Sequence, residues 1–344
     1  MLIPVTITPG RITQRPASLE ERTFAELQIR EDHMEEFVRG NIGLVFEDES
    51  LLVVGKQVFD ANGKRCDLVA VAEDGTLVLI ELKRDAQDAK GRREPFESQA
   101  IRYAATLATI SDEAELVEKL YAPYIERHRG EFDLGDLSPS EYGHRKLKDF
   151  LAGNQSARTF NQRQRIVLIA SGFDDETLSS AVWLSGQGID IACLQLAPMD
   201  IDGAVFLRCE TMVPLPTAAD YLVPFADAGA RRTAPAAKAE AANKAGRRSL
   251  PRMAKLIEWG IVAPGDVLTL KGYDGYEATV IDAQMVEYKG QRMRFNQWGQ
   301  AATGWSSIAI YDWAMKDGRT LYDLRAERMA EEERLAAEAE DVPA

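Results

Sequence analysis

Short apolar runs with period-two character alternate along this chain with stretches of helical spacing, and their order predicts an α/β protein. "SLLVVGKQVF" (50–59) predicts a strand, and "CDLVAVA" (66–72) and "LVLIELK" (77–83) predict a hairpin. "PFESQAIRYAATLATI" (95–110) follows with Phe96, Ile101, Ala104 and Leu107 at helical spacing. Further on, "RIVLIAS", "DDETLSSAVWLSGQG" and "IDIACLQL" predict a strand–helix–strand unit. Ser18 with Glu21 three residues later forms a capping-box pattern and predicts a helix running from there through Gly40. Residues 111–160 predict a charged helical insertion with a turn at "GDLSPSEYG".

Composition then divides the chain. Residues 214–249 are rich in Ala, Pro, Lys and Arg and predict a flexible basic linker, so that the flanking parts act as tethered modules. Residues 250–325 predict a small α+β domain, and the Ala/Glu-rich 326–344 an acidic tail that extends as a fraying helix.

The formal net charge of −14 argues against a protein that coats nucleic acid non-specifically. The charge is uneven, however. Residues 226–249 hold six Lys/Arg against two Asp/Glu, and residues 326–344 hold two against seven. A local nucleic-acid face is therefore compatible with the acidic total. Three cysteines, Cys66, Cys193 and Cys209, show no metal-like spacing and are expected to be reduced thiols. With no secretory pattern at the start and no apolar run near ~20 residues, a cytoplasmic protein without membrane attachment is expected.

Charges inside the predicted hairpin are the main chemical signal. Asp67 lies near the start of one strand, and Glu81 and Lys83 straddle Leu82 at the end of the next, pointing to the same face. Unpaired charges on a strand buried on both sides cost several kcal/mol each. Two converging carboxylates make sense there as ligands for a hard divalent cation, with Lys83 positioning a water or offsetting charge on a phosphate. The turn decides whether they converge. A two-residue Asp74-Gly75 turn would pair Glu73 with Thr76 and send Asp67 to the opposite face. A three-residue Glu73-Asp74-Gly75 loop with left-handed Gly75 is predicted, setting Asp67 across from Glu81, with a compensating bulge elsewhere as the alternative. His33, His128 and His144 have no metal-ligand spacing, and neither a Gly-x-Ser-x-Gly elbow nor a phosphate-binding Gly loop occurs.

"RCDLVAVAEDGTLVLIELKRD" with "QAIRY" downstream resembles the PD-(D/E)xK nuclease superfamily, in particular its RecB/NucS-like branch. The resemblance spans roughly residues 18–213 and implies a restriction-endonuclease-like mixed sheet flanked by helices, cleaving DNA with Mg²⁺, for which Mn²⁺ substitutes. It implies Asp67, Glu81 and the Leu82 carbonyl as metal ligands and Lys83 as the catalytic lysine. Glu31 is the further glutamate supplied by "REDHMEEFVRGN", with Glu35 as the alternative. Gln99 and Tyr103, one helical turn apart, brace nucleic acid or the metal site, and Arg65 is either a phosphate ligand or a surface arginine. The long 111–160 insertion departs from the compact family pattern.

Residues 250–325 resemble the RAMA domain through "LIEWGIVAPGDVL", "VEYKGQRM", "TGWSSIAIYDW" and "LYDLR", with Thr303 where the family has Asn. That implies a DNA-recognition module. Its aromatic residues supply mostly core, Trp313 among them. Trp305 is left open between core and base stacking, with Arg292 and Arg294 on phosphates. The expected function is a DNA endonuclease of restriction or phage-defence type. Alternatives are a repair nuclease for branched or mismatched DNA and a catalytically idle DNA-binding protein. DNA is the expected partner, and a homodimer is left open.

Overall fold

The computed structural model describes residues 5–15, 18–46, 48–59, 63, 65–85, 94–214 and 250–340; the expected linker lies almost wholly outside them. Three strands open the central sheet as an antiparallel meander. They are β4 (Leu51–Phe59), β5 (Arg65–Ala72) and β6 (Leu77–Lys83). Then β7 (Gln164–Ala170) and β8 (Asp190–Ile201) add in parallel, joined by a crossover helix at Asp175–Gly186. β9 (Ala204–Val213) folds back antiparallel on β8 through an Asp202-Gly203 turn with both φ positive. The sheet is thus mixed, and β5 to β7 are buried almost throughout, which is why their sequences are mainly apolar, with polar residues confined to one end of each strand.

The hairpin has the register that brings the charges together. Leu68 pairs with Ile80 and Val71 with Leu77, so Asp67 stands opposite Glu81. The loop is Glu73-Asp74-Gly75, closed by Gly75 N–H to the Ala72 carbonyl at 2.9 Å, with Gly75 at φ 85°. A Cβ at this glycine would lie 2.9 Å from the Ser156 carbonyl oxygen, so the turn also needs glycine for close approach.

Residues 18–40 do not form one helix. Leu19–Glu21 is a strand, β3, paired antiparallel with the end of β8. Residues 24–28 form turns whose Phe24 and Ala25 N–H groups donate to Asp85. The helix, α1, begins only at Glu31 and ends at Gly40. The amphipathic pattern that suggested an earlier start is overridden by pairing with a strand far along the chain. A further hairpin, β1 (Val5–Thr8) and β2 (Arg11–Gln14), stands apart and exposed.

Helix α2 (Phe96–Leu107) follows the hairpin and lies against β6 and β7. The region read as an insertion is helical, but it is not an appendage. Leu116, Val117, Tyr121, Ile125 and, from helix α3 (Pro139–Gly153), Leu147, Phe150 and Leu151 all join the main core.

The C-terminal part forms a six-stranded antiparallel sheet with a helix at Phe295–Thr303, and a long helix, Leu321–Glu340, carries the start of the acidic tail. Contrary to the tethered-module expectation, this unit docks on the first. Ser307 N–H donates to the Leu51 carbonyl at 3.0 Å and Leu51 N–H to that of Ser307 at 3.2 Å, continuing the ladder at the start of edge strand β4. Ser306 Oγ takes the Val53 N–H, Ser50 Oγ takes the Ala309 N–H, and Arg252 pairs with Asp48 at 2.6 Å. Trp305 meets Phe150 of α3 edge-on at 4.9 Å and Trp313 at 4.8 Å. Trp313 is core, as expected. Trp305, only 3% exposed and sealed in this contact, has no face to offer a base. No helix among the described residues is long and apolar enough to cross a membrane.

Candidate metal and catalytic site

Strand alternation and the hairpin register put Asp67, Glu81 and Lys83 on one face, and α1 lies over them. Among the described residues, four polar contacts tie that helix to the sheet: Lys56 to Glu36, Gln57 Nε2 to Glu35 Oε2 at 2.8 Å, Arg65 to Glu35 at 3.5 Å, and Lys83 Nζ to Glu31 at 3.4 Å. Glu31 and Glu35 are one helical turn apart, so both reach the sheet. One oxygen each from Glu31, Glu35 and Asp67 gathers within 4.8 Å. Both Glu31 and its alternative Glu35 therefore belong to the cluster.

Glu81 takes a different position from the expected one. Its Oε2 accepts from Gln99 Nε2 of α2 at 2.9 Å, and it is not one of the three carboxylates that gather within 4.8 Å. Its Oε1 is buried and has no hydrogen-bond partner among the described residues. Asp67 Oδ2 accepts the Leu82 N–H at 2.8 Å, replacing a ladder bond where the β5–β6 pairing ends. The Leu82 carbonyl, expected as a metal ligand, here accepts from Lys83 Nζ at 2.6 Å. Lys83 itself is fully buried, with its ammonium 5.1 Å from the centre of the Phe96 ring.

Of the two helix residues expected to brace nucleic acid or the metal site, one contacts a site carboxyl and the other is buried. Tyr103 is 4% exposed, with the Arg102 guanidinium 4.4 Å from its ring centre, so it packs beneath the site and cannot touch a nucleic-acid backbone. Gln99 braces Glu81, the metal-site alternative of that expectation. Arg65 lies 3.5 Å from Glu35 and 3.9 Å from Asp67, facing the carboxylates while part of its side chain stays at the surface. On the C-terminal sheet, Arg292 and Arg294 are exposed on the strand Gln291–Arg294. Gln57 is the site residue that sequence reasoning missed; the polar pair Lys56-Gln57 after Gly55 in an otherwise apolar strand was the available signal.

The electrostatics fit a divalent cation. Four carboxyl groups, three of them buried, stand near two cationic groups, the buried Lys83 and the partly exposed Arg65. Burial raises the Glu81 carboxyl to about 9, with Asp67 adding to the rise and Lys83 opposing it. Burial likewise raises Asp67, to about 6, against the pull of Lys83 and the Leu82 N–H. The donor set is all oxygen, as Mg²⁺ and Mn²⁺ prefer, and the unpartnered Glu81 Oε1 is an orphaned acceptor of the kind a cation satisfies.

A pH dependence follows. An acid whose pKa is higher folded than unfolded holds its proton more tightly in the native state. Its stabilising effect is complete below the unfolded value and is lost as pH rises through the folded one. Without divalent ions, the melting temperature should thus fall as pH rises from about 4.5, the ordinary glutamate value, toward about 9. Mn²⁺ should restore it most at the alkaline end, where the carboxylates are ionised. Thermal unfolding across that range in EDTA and in Mn²⁺ checks this; a melting temperature indifferent to both would contradict it.

Compared with known proteins, no family model matches this chain, and neither a curated protein nor a solved structure does.

Proposed function

We propose that this protein is a Mg²⁺- or Mn²⁺-dependent nuclease that hydrolyses DNA phosphodiester bonds, with a fold and site of the PD-(D/E)xK type. One observation carries the proposal. Three buried carboxyl groups, Asp67 and Glu81 from the hairpin and Glu35 from α1, lie with the partly exposed Glu31 around one buried lysine, Lys83. A purely structural core gains nothing from burying three carboxyl groups beside a single buried ammonium, because desolvation outweighs their attraction. A cation and a phosphate account for them.

When bound, the ion supplies Lewis-acid polarisation of the phosphate. Asp67, Glu31 and Glu35 hold it, with the free oxygen of Glu81 available and Gln99 fixing the other. Lys83, aligned by Glu31, offsets the negative charge that grows on the phosphate in the transition state. Arg65, at the rim, orients the backbone. The RAMA-like C-terminal unit is proposed to choose the DNA, and the exposed Arg292 and Arg294 give it a phosphate-binding edge. Trp305 has no part in that role. A defence function against foreign DNA is the biological setting that this pairing of nuclease and recognition unit favours.

The test is incubation of the purified chain with plasmid, phage and modified DNA in Mg²⁺, Mn²⁺ or EDTA. Cleavage that requires the divalent ion is the expected result. No cleavage of any substrate by protein shown to bind Mn²⁺ would overturn the proposal.

A further inference from the structure

Residue 57 is a glutamine in the left-handed backbone conformation, φ 52°, inside strand β4. Among the described residues, the other seven non-glycine residues with positive φ lie in turns. A side chain with a Cβ takes this conformation unwillingly, and a strand interior offers no turn to require it. The strand is also bulged just upstream, where its register shifts between Val53 and Gly55. Gly55 is needed there, because a Cβ would stand 2.7 Å from Val58 Cγ2. Two irregularities within five residues re-aim one side chain, as bulges beside active sites do.

The target of that side chain is Glu35. The register that pairs Lys56 with Leu68 and Val58 with Cys66 sets Gln57 beside Asp67, and its Nε2 reaches Glu35 Oε2 at 2.8 Å. Glu35 is fully buried and belongs to the group of three carboxylates within 4.8 Å. An amide donor suits this place chemically. It fixes the carboxylate by a hydrogen bond without cancelling its charge, as a lysine would, and so leaves that charge for a cation.

We propose that Gln57 is a positioning residue for the cation site, and that the strained bulge in β4 exists to present its amide to Glu35. This rests on the cation-site reading above. A residue serving only the fold would be expected to lose nothing in cation affinity once the fold is intact. Glycine and asparagine both accept positive φ more readily than glutamine, and neither presents the amide at glutamine's reach, so Gln57→Gly and Gln57→Asn separate the two roles.

The experiment measures Mn²⁺ binding to the full-length chain, from the electron paramagnetic resonance signal of the free ion, alongside thermal unfolding in EDTA. The expected result is a melting temperature within a few degrees of the parent for both variants. Mn²⁺ affinity should fall by about tenfold to a hundredfold, the range typical of outer-shell hydrogen bonds to metal ligands. The Mn²⁺ concentration giving half-maximal DNA cleavage should rise in step. If folded Gln57→Asn binds Mn²⁺ as tightly as the parent, the inference is overturned while the cation site stands. If the parent binds no Mn²⁺, the cation-site reading itself is overturned, and the inference with it.

Discussion

Lys83→Met is expected to remove divalent-dependent DNA cleavage, by at least about 10²–10³-fold, the loss typical when a preorganised electrostatic contact to a transition state is deleted. The Nζ of Lys83 meets the Leu82 carbonyl at 2.6 Å and Glu31 at 3.4 Å, and both orient it. Methionine keeps the length and apolar stem that pack near Phe96 while removing the charge, so the fold should survive. Removing a buried cation does leave the neighbouring carboxylates less compensated, and the variant should therefore depend more on Mn²⁺ for its stability than the parent does. Asp67→Asn tests the other side of the site. It preserves an oxygen that can accept the Leu82 N–H, yet removes one negative charge from the three-carboxylate group. Its Mn²⁺ affinity should fall together with its cleavage, whereas Lys83→Met should lose cleavage with Mn²⁺ still bound. Either variant cleaving within a few-fold of the parent, with its fold confirmed by circular dichroism, would remove that residue from the site.

The hairpin was the most legible part of the chain because two independent signals agreed there. Charges interrupted otherwise apolar strands, and a three-residue Glu73-Asp74-Gly75 loop let them converge without a compensating bulge elsewhere. The parallel strand–helix–strand unit was legible for a simpler reason, since buried parallel strands and a capped helix leave distinct patterns. The start of α1 was not, because Leu19–Glu21 carries a helix-compatible pattern and only its pairing with β8 makes it a strand. Local sequence does not encode a partner about 180 residues away. Gln57 was illegible for a related reason. A bulge is a backbone event, and the sequence signals it only by Gly55 followed by two polar residues. Tyr103 shows the opposite failure. Its spacing from Gln99 placed it on the correct helical turn, but spacing alone could not tell a residue beneath the site from one lining it.

The same limit hid the docking of the C-terminal unit. Aromatic residues in a small domain read alike whether they fill its own core or seal an interface, so Trp305 and Trp313 gave no sign of Phe150. Taken as a tethered module, residues 250–344 would be dispensable for the fold of the rest. The structure predicts otherwise. Truncation would expose Phe150 and strip the start of edge strand β4 of its bonds to Ser306 and Ser307. It would also leave Asp48 without Arg252. Each large side chain uncovered forfeits roughly 1.5–3 kcal/mol, and an uncovered edge strand invites aggregation. Several such losses are a large share of the ~5–15 kcal/mol by which a domain is stable. A chain ending at residue 213 should therefore be largely insoluble, or melt far below the full-length protein. Trp305→Ala is the milder form of the same experiment. It should cost about 3–5 kcal/mol of stability, as expected for a buried tryptophan, and lower the denaturation midpoint in urea. DNA binding by the fraction that remains folded should be unchanged. A stable truncated nuclease, or a Trp305→Ala protein of native stability with altered DNA preference, would show that the two units are separable and return that ring to the nucleic-acid interface.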